Sequence, residues 1–421
     1  MSAEAGARGE VVVVGAGAAG LWAAGRAARL GARVLLLEKT ARTGTKVLAS
    51  GGTRCNLTTT LDGPAAARLF GRAGERFLGP AFRALSPEAL RERFAELGVA
   101  TVAAPLEKVF PASQRARDVR DALEREASEA GARIRCGAAV AGVEAVGDGW
   151  RVRVRAGDDV DCARLVLCPG GMSYPRTGTT GDGYAWLAAL GLEVVAPAPA
   201  LAPLESPAEW VRALAGVALQ DVEARLVDAA GRELGRRRRP LLFTHSGVSG
   251  PAAMDLSRHV ARGAPGARLV LDLCPDLSRE RLRAELIAAA GRAGSTSIAR
   301  AIPFELPRRA ADAAGRQAGL ANANGPLATL ERAARHALVE ALKGLELPIS
   351  GTLGFERAEV TAGGLALGQV DPGSMAVRGR PGLYVCGELL DLDGPIGGLN
   401  FQAAFATAEL AARHAARPAT A

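Results

Sequence analysis

The residues best placed to do chemistry in this 421-residue chain are three glycines and an acid near its start. Gly15, Gly17 and Gly20 have the spacing G-x-G-x-x-G, and Glu38 follows about 20 residues further on. In that pattern Gly15 permits a tight turn, Gly17 lets backbone N–H groups approach a pyrophosphate, and Gly20 lets a helix pack close to the preceding strand. A carboxylate at Glu38 accepts hydrogen bonds from ribose hydroxyls and disfavours a 2′-phosphate, so NADP is an unsuitable occupant while FAD and NAD both remain.

These residues need a strand, a turn, a helix and a second strand to hold them. Val11 to Val14 is a continuous β-branched run suited to a strand buried on both faces. The helix is expected to run to about Leu30, with Gly31 as its C′ residue, and Arg33 to Leu37 form the second strand. A simple NAD domain would continue in βαβ repeats. Here Glu38 is followed instead by KTARTGTKVLASGGTRCNLT, read as a loop whose backbone amides and cations contact a long cofactor. Two later strands also end in glycine. ARLVLCPGG (163–171) is one. GLYVCGELLDLDGPIGGLNFQAAFATAELAA (382–412) is the other, with Gly387, a Gly-rich loop and a helix starting near Asn400, whose N-terminus favours negative charge.

Bulk properties narrow the class. Net charge is +8, but the arginines are scattered among Ala and Glu, the pattern of solvated helix faces. The one dense run, Arg236 to Arg239, follows the turn-like GRELG and reads as a hairpin, so nucleic acid is a disfavoured partner. Lysine is confined to Lys39, Lys46, Lys108 and Lys343, and two of the four lie just before the SGGTRCN stretch. Six cysteines without a CxxC fit a reduced, cytoplasmic compartment, and four scattered histidines point to no metal site. The apolar run 11–25 falls short of the roughly 20 residues a membrane span needs, and neither a targeting nor a membrane segment is expected.

EVVVVGAGAAG, GTKVLASGGTRCNLT, LCPGGMSYPRTGTTGDGY, LFTHSGVSGPA, VTAGGL and PGLYVCGELLDLDGPIGGLNFQAA resemble the BaiN/RdsA-like family of FAD-dependent oxidoreductases, some of whose members are described as aminoacetone oxidases. The resemblance runs from about residue 10 to 412. It implies an α/β fold: a glutathione-reductase-like, Rossmann-type FAD-binding domain with an inserted β-barrel and a small helical domain. It also implies that Gly15, Gly17, Ala19 and Gly20 hold the pyrophosphate and Glu38 the adenosine ribose. Lys39, Lys46, Gly51, Gly52, Arg54 and Asn56 would line the cofactor, and Gly387, Glu388, Asp391, Asn400, Phe401 and Gln402 would surround its ribityl chain and ring. Thr53 stands where many members have a third glycine, and Leu399 where an aromatic is common.

The Pro-rich VVAPAPALAPLESP marks a boundary, after which the pattern runs β, then α, then β. The expected division is an FAD domain of 1–193 with 358–421, a β-barrel of 194–275 with 346–357, and a helical insert of 276–345.

The flavin would carry the hard chemistry, so the reaction type is more legible than the substrate. Cys55 has no partner cysteine before Cys136, which disfavours a flavin-disulfide reductase and favours a packing role. The catalytic acid or base stays open, with His245, Tyr174 and Ser246 as weak candidates, and Asp182 either binds cofactor or caps a helix. The expected activity is an FAD-dependent oxidoreductase on a small organic substrate: an NAD(P)H-dependent reductase of a conjugated ketone, or an amine oxidase. The alternatives are an FAD-dependent RNA-modifying protein and an NAD-dependent dehydrogenase. No second G-x-G-x-x-G marks a nicotinamide domain, so NAD(P)H would act as a transient donor.

Overall fold

A computed structural model describes residues 10–291, 306–321 and 330–417. The chain divides into two compact units, Met1–Ala198 with Glu359–Ala421 and Pro199–Ala358.

The first unit is built on a five-stranded parallel sheet. Its order is Leu383–Val385, Arg164–Leu167, Glu10–Val14, Arg33–Leu37 and Arg133–Arg135. Val11 to Val14 are at most 4% exposed, as a run apolar on both faces requires. Helix Ala18–Arg29 and helix Leu399–Ala415 pack together on this sheet, and Trp22 and Phe405 from these helices form an aromatic cluster with Phe94, which meets Phe405 edge-on. The first helix ends at Leu30 and Gly31 follows at φ 91°, as the C′ reading expects. Strand register sets the site. Val14 pairs with Leu37 and Leu167, and Leu167 with Val385, so Gly15, Glu38, Cys168 and Cys386 all emerge at one carboxyl edge. Ligands of open parallel sheets bind outside that edge.

The stretch after Glu38 is more ordered than a loop. Thr45–Thr53 is helical, broken at Ser50, Gly51 and Gly52, where the backbone leaves helical angles and both glycines have positive φ. The sequence of small and hydroxyl residues around a glycine pair conceals this short helix. The fifth strand, Arg133–Arg135, was also invisible to hydrophobic pattern, being three residues with a charge at each end.

The second unit holds a seven-stranded sheet in the order Leu345–Pro348, Arg268–Asp272, Ala218–Val227, Glu233–Thr244, Gly247–Ser249, Leu204–Glu205 and Gly351–Thr352. Its two edge strands are consecutive in the chain. Ile349 and Ser350 join them, donating backbone hydrogen bonds to Ala267 O and Glu205 O at 3.0 Å each. The sheet therefore rolls until its edges meet. Helices Arg279–Gly291, Arg308–Gln317 and Arg332–Lys343 share one apolar core with this sheet, Leu282, Leu286, Leu338 and Leu342 packing with Leu269, Leu271 and Leu345. The helices and the rolled sheet thus form one unit.

Candidate functional site

At the carboxyl edge of the first unit's sheet, the turn after Glu10–Val14 is shaped by steric necessity. Gly15 has φ 99°, and a Cβ there would lie 2.6 Å from Cys168 O. A Cβ on Gly20 would lie 1.7 Å from Gly15 O, so only glycine lets the helix approach the turn. A Cβ on Gly17 would meet nothing within 4 Å. The space beside Gly17 at the helix N-terminus is therefore open, where the backbone N–H groups of the first helical turn are donors of the kind a pyrophosphate accepts from. Gly387, with φ 71°, brings its loop against the same helix, 3.0 Å from the Ala19 Cβ by its own would-be Cβ.

Glu38 is half-buried at the end of its strand. Its Oε2 accepts from Ala16 N at 2.8 Å, and its Oε1 from Thr40 N at 2.8 Å and Thr40 Oγ1 at 2.9 Å. The carboxylate is thus aimed by backbone donors on both sides, and one lone pair of Oε2 stays open to a further donor such as a ribose hydroxyl.

The densest polar cluster lies deeper in the unit. Lys46 Nζ donates to Ser173 Oγ at 2.6 Å and to both oxygens of Glu388 at 3.0 and 2.7 Å. Glu388 Oε1 also accepts from Ser173 Oγ at 2.9 Å and from Thr361 N at 2.8 Å. Neighbouring Tyr184 is buried, and desolvation, followed by the Glu388 and Asp391 carboxylates, holds its hydroxyl above the usual tyrosine range. Ser173, Thr361 and Tyr184 were not singled out by sequence, because only the fold brings SYPRT, VTAGGL and Lys46 together.

Other expected residues take more local roles. Lys39 pairs with Asp182 at 2.6 Å and also donates to Thr180 Oγ1, so Asp182 opens its helix as an ion-pair partner. Arg54 is exposed and lies over the Phe110 ring, 4.6 Å from its centroid. Asn56 Oδ1 accepts from Val109 N, fixing the strand beyond the kinked helix. Gly51 and Gly52 are exposed on that kink, and a Cβ on Gly52 would enter open space. Thr53 adopts φ 66°, a left-handed conformation that suits glycine better than threonine. Asn400 closes its own loop through two 2.8 Å bonds to the Gly394 backbone. Phe401 stacks on Phe405 with centroids 6.1 Å apart, and Asp391 N donates to Leu365 O. Leu399 is buried, so it lines no open face.

Gln402, expected beside the ribityl chain and ring, has its amide partnered within the protein. It is fully buried, accepts from Thr58 Oγ1 and donates to Leu85 O, so its amide is committed to the core. The register of helix Leu399–Ala415 turns it inward, which position in a motif could not reveal. Cys55 is also fully buried, with φ 62°, and burial pushes its thiol up to about 12. Cys168 lies against Cys386, a contact that together with burial raises its thiol well above the ordinary range. Such thiols are inert at neutral pH. Tyr174 is exposed in a left-handed conformation beside Ser173, while His245 and Ser246 are exposed on the turn after Glu233–Thr244 in the second unit. Among the described residues no group of three or more His, Cys, Asp and Glu could hold a metal, and no helix is long and apolar enough to cross a membrane.

Residues 9–414 match the family model described as HI0933-like protein Rossmann domain. The chain is 30% identical over 402 residues to a ribosomal RNA dihydrouridine synthase of Escherichia coli (strain K12), covering 95% of this chain and 96% of that protein. It is also 30% identical over 411 residues to a 3-dehydro-bile acid delta(4,6)-reductase of Clostridium scindens, covering 96% and 98%. Among solved structures, 3-ketosteroid-delta4-(5alpha)-dehydrogenase from Rhodococcus jostii RHA1 shares the fold with a TM-score of 0.50 at 17% identity, over 98% of this chain and 97% of that one. The match of residues 9–414 to that family model, in a chain whose first strand ends in a Rossmann-type glycine turn, shows that this protein belongs to the HI0933-like family, the BaiN/RdsA-like FAD-dependent oxidoreductases.

Proposed function

We propose that this FAD-dependent oxidoreductase saturates a carbon–carbon double bond conjugated to a carbonyl group, in a small organic substrate. The open space beside Gly17, flanked by the aimed Glu38 carboxylate, is the observation that carries the cofactor assignment. Gly15, Gly17, Ala19 and Gly20 would hold the pyrophosphate and Glu38 the ribose, with Lys46, Gly51, Gly52, Gly387 and Glu388 along the rest of the cofactor. When bound, FAD supplies a two-electron carrier able to accept and deliver hydride. The chain's own contribution is to orient it, exclude water and fix charge beside it.

The substrate class follows from what two relatives' names have in common. A delta(4,6)-reductase and a dihydrouridine synthase both describe saturation of a double bond, in each case one conjugated to a ring carbonyl. A small molecule is favoured over RNA by the arginine run. Arg236 pairs with Glu223 and Glu233, Arg237 with Asp255, and Arg238 with Asp221 and Asp276. Charges already matched by carboxylates attract phosphates weakly.

The test is anaerobic reduction of the purified yellow protein by NADH and by NADPH, followed at the flavin band. A steroid 4-en-3-one, cyclohexenone and uridine-containing ribosomal RNA are then offered as reoxidants. Reoxidation by an enone supports the reading. Reoxidation by RNA alone assigns the RNA-modifying alternative, and a colourless protein that takes up no added FAD removes both.

A further inference from the structure

We propose that Ser173 and Thr361 are positioning residues for the Lys46 ammonium, and that this fixed cation tunes the reduction of the FAD. The proposal rests on the FAD reading above. It assigns work to Ser173 in SYPRT and Thr361 in VTAGGL, two residues to which the sequence alone gives no role.

Four separate segments converge on one charge. Thr361 lies in strand Val360–Leu365 and is fully buried. Its Oγ1 accepts from Met172 N at 2.8 Å and Ser173 N at 3.0 Å, while its own N–H donates to Glu388 Oε1 at 2.8 Å. One threonine therefore fixes both the segment that carries Ser173 and the carboxylate that faces Lys46. Ser173, also fully buried, then accepts from Lys46 Nζ and donates to Glu388 Oε1. A Cβ on Gly171 would fall 2.4 Å from Thr361 Oγ1, so glycine at that position makes room for the threonine hydroxyl.

The pattern of burial separates a presented charge from its support. The Lys46 and Glu388 side chains keep 25% and 19% of their surface, whereas Ser173 and Thr361 keep none. Two buried hydroxyls are thus used to aim an ion pair that remains open to a neighbour. An ion pair has no net charge, so its effect on that neighbour depends on which end is nearer and how firmly it is held. Holding an ammonium by three acceptors fixes that orientation. The use of lysine in a chain that elsewhere relies on arginine fits a need for a compact point charge. Reduction brings negative charge to a flavin, and a pre-aimed cation stabilises that charge without reorganisation.

The experiment measures bound FAD per chain and the reduced-to-oxidised FAD ratio at the wild-type midpoint, by equilibration with a reference dye. The variants are Lys46→Met, Glu388→Gln, Ser173→Ala, Thr361→Val and Thr361→Ser. The ratio is expected to fall about tenfold in Lys46→Met, a shift of about 30 mV for a two-electron couple. Ser173→Ala and Thr361→Val should fall in the same direction by a smaller factor. Glu388→Gln should rise, and Thr361→Ser, which keeps the hydroxyl, should match wild type. Opposite signs at Lys46 and Glu388 are not produced by general loosening of the fold. Should Thr361→Val not fold, Ser173→Ala against Glu388→Gln decides. Wild-type ratios in Ser173→Ala and Thr361→Val with FAD fully bound overturn the positioning role. Shifts of one sign at Lys46 and Glu388 overturn the electrostatic one. Wild-type protein that binds no FAD instead defeats the functional reading beneath both.

Discussion

Thr58 Oγ1 donates a 2.7 Å hydrogen bond to Gln402 Oε1, and neither residue has any exposed surface. The bond ties the strand after the kinked helix to helix Leu399–Ala415, and Gln402 Nε2 completes the clamp on Leu85 O. Gln402→Ala would leave a buried hydroxyl and a buried carbonyl without partners. The expected cost is about 2–4 kcal/mol, read from urea unfolding, with the folded fraction retaining its FAD. Loss of FAD at unchanged stability would return Gln402 to the cofactor.

Glu38→Ala removes the acceptor of the Ala16 and Thr40 amides together with the proposed ribose contact. FAD affinity should fall by about 1–3 kcal/mol, measured by titrating apoprotein with FAD. Full occupancy after exhaustive desalting would contradict the ribose role.

Cys55 is expected to be chemically silent. Cys55→Ala should keep most turnover, and iodoacetamide at pH 8 should label exposed Cys136 but not Cys55 in the folded protein. The pH dependence has a definite sign. Burial raises the folded thiol from 9.0 to about 12, so its stabilisation is fully present below pH 9.0 and is lost as pH climbs through about 12. Urea midpoints between pH 8 and 11 should therefore decline more steeply in wild type than in Cys55→Ala. Parallel declines would place the thiol in a more polar setting.

Lys343 provides a stability test in the second unit. Its side chain is 8% exposed, lies 2.5 Å from Asp272 Oδ2, and donates to Cys274 O and Leu277 O. Lys343→Met leaves the Asp272 carboxylate without its cation and takes a donor from Leu277 O, with an expected cost of about 3–5 kcal/mol by chemical denaturation. Lys343→Met with Asp272→Leu should recover part of that loss, and a double variant as unstable as the sum would show that the pair is not coupled.

The parts of this site that a reader of sequence can find are those whose demands are local. Gly20 is glycine because the Gly15 carbonyl, five residues earlier, leaves no room, the turn at Gly15 needs its φ of 99°, and Glu38 ends a strand whose pattern is plain. The Lys46–Glu388 pair spans 342 positions, and Thr361 joins it through a main-chain N–H, which no residue type advertises. Thr45–Thr53 looked like a loop because a glycine pair sits in its last turn. Gln402 is implied beside the cofactor only by the family resemblance, and the direction of its side chain depends on helical phase. Long-range pairing and side-chain direction are products of tertiary packing, and neither is encoded within a short window.

The sheet order has a consequence for biogenesis. Leu383–Val385 is hydrogen-bonded to Arg164–Leu167, yet the whole of Pro199–Ala358 is synthesised between them. On the ribosome, the second unit has all its strands before the first has its edge strand or the helix Leu399–Ala415. The early segment must wait with an unpaired strand edge and an uncovered apolar face, the state in which nascent chains aggregate. Truncations made after residue 358 but before 383 should therefore behave as one folded unit attached to a chaperone-dependent partner.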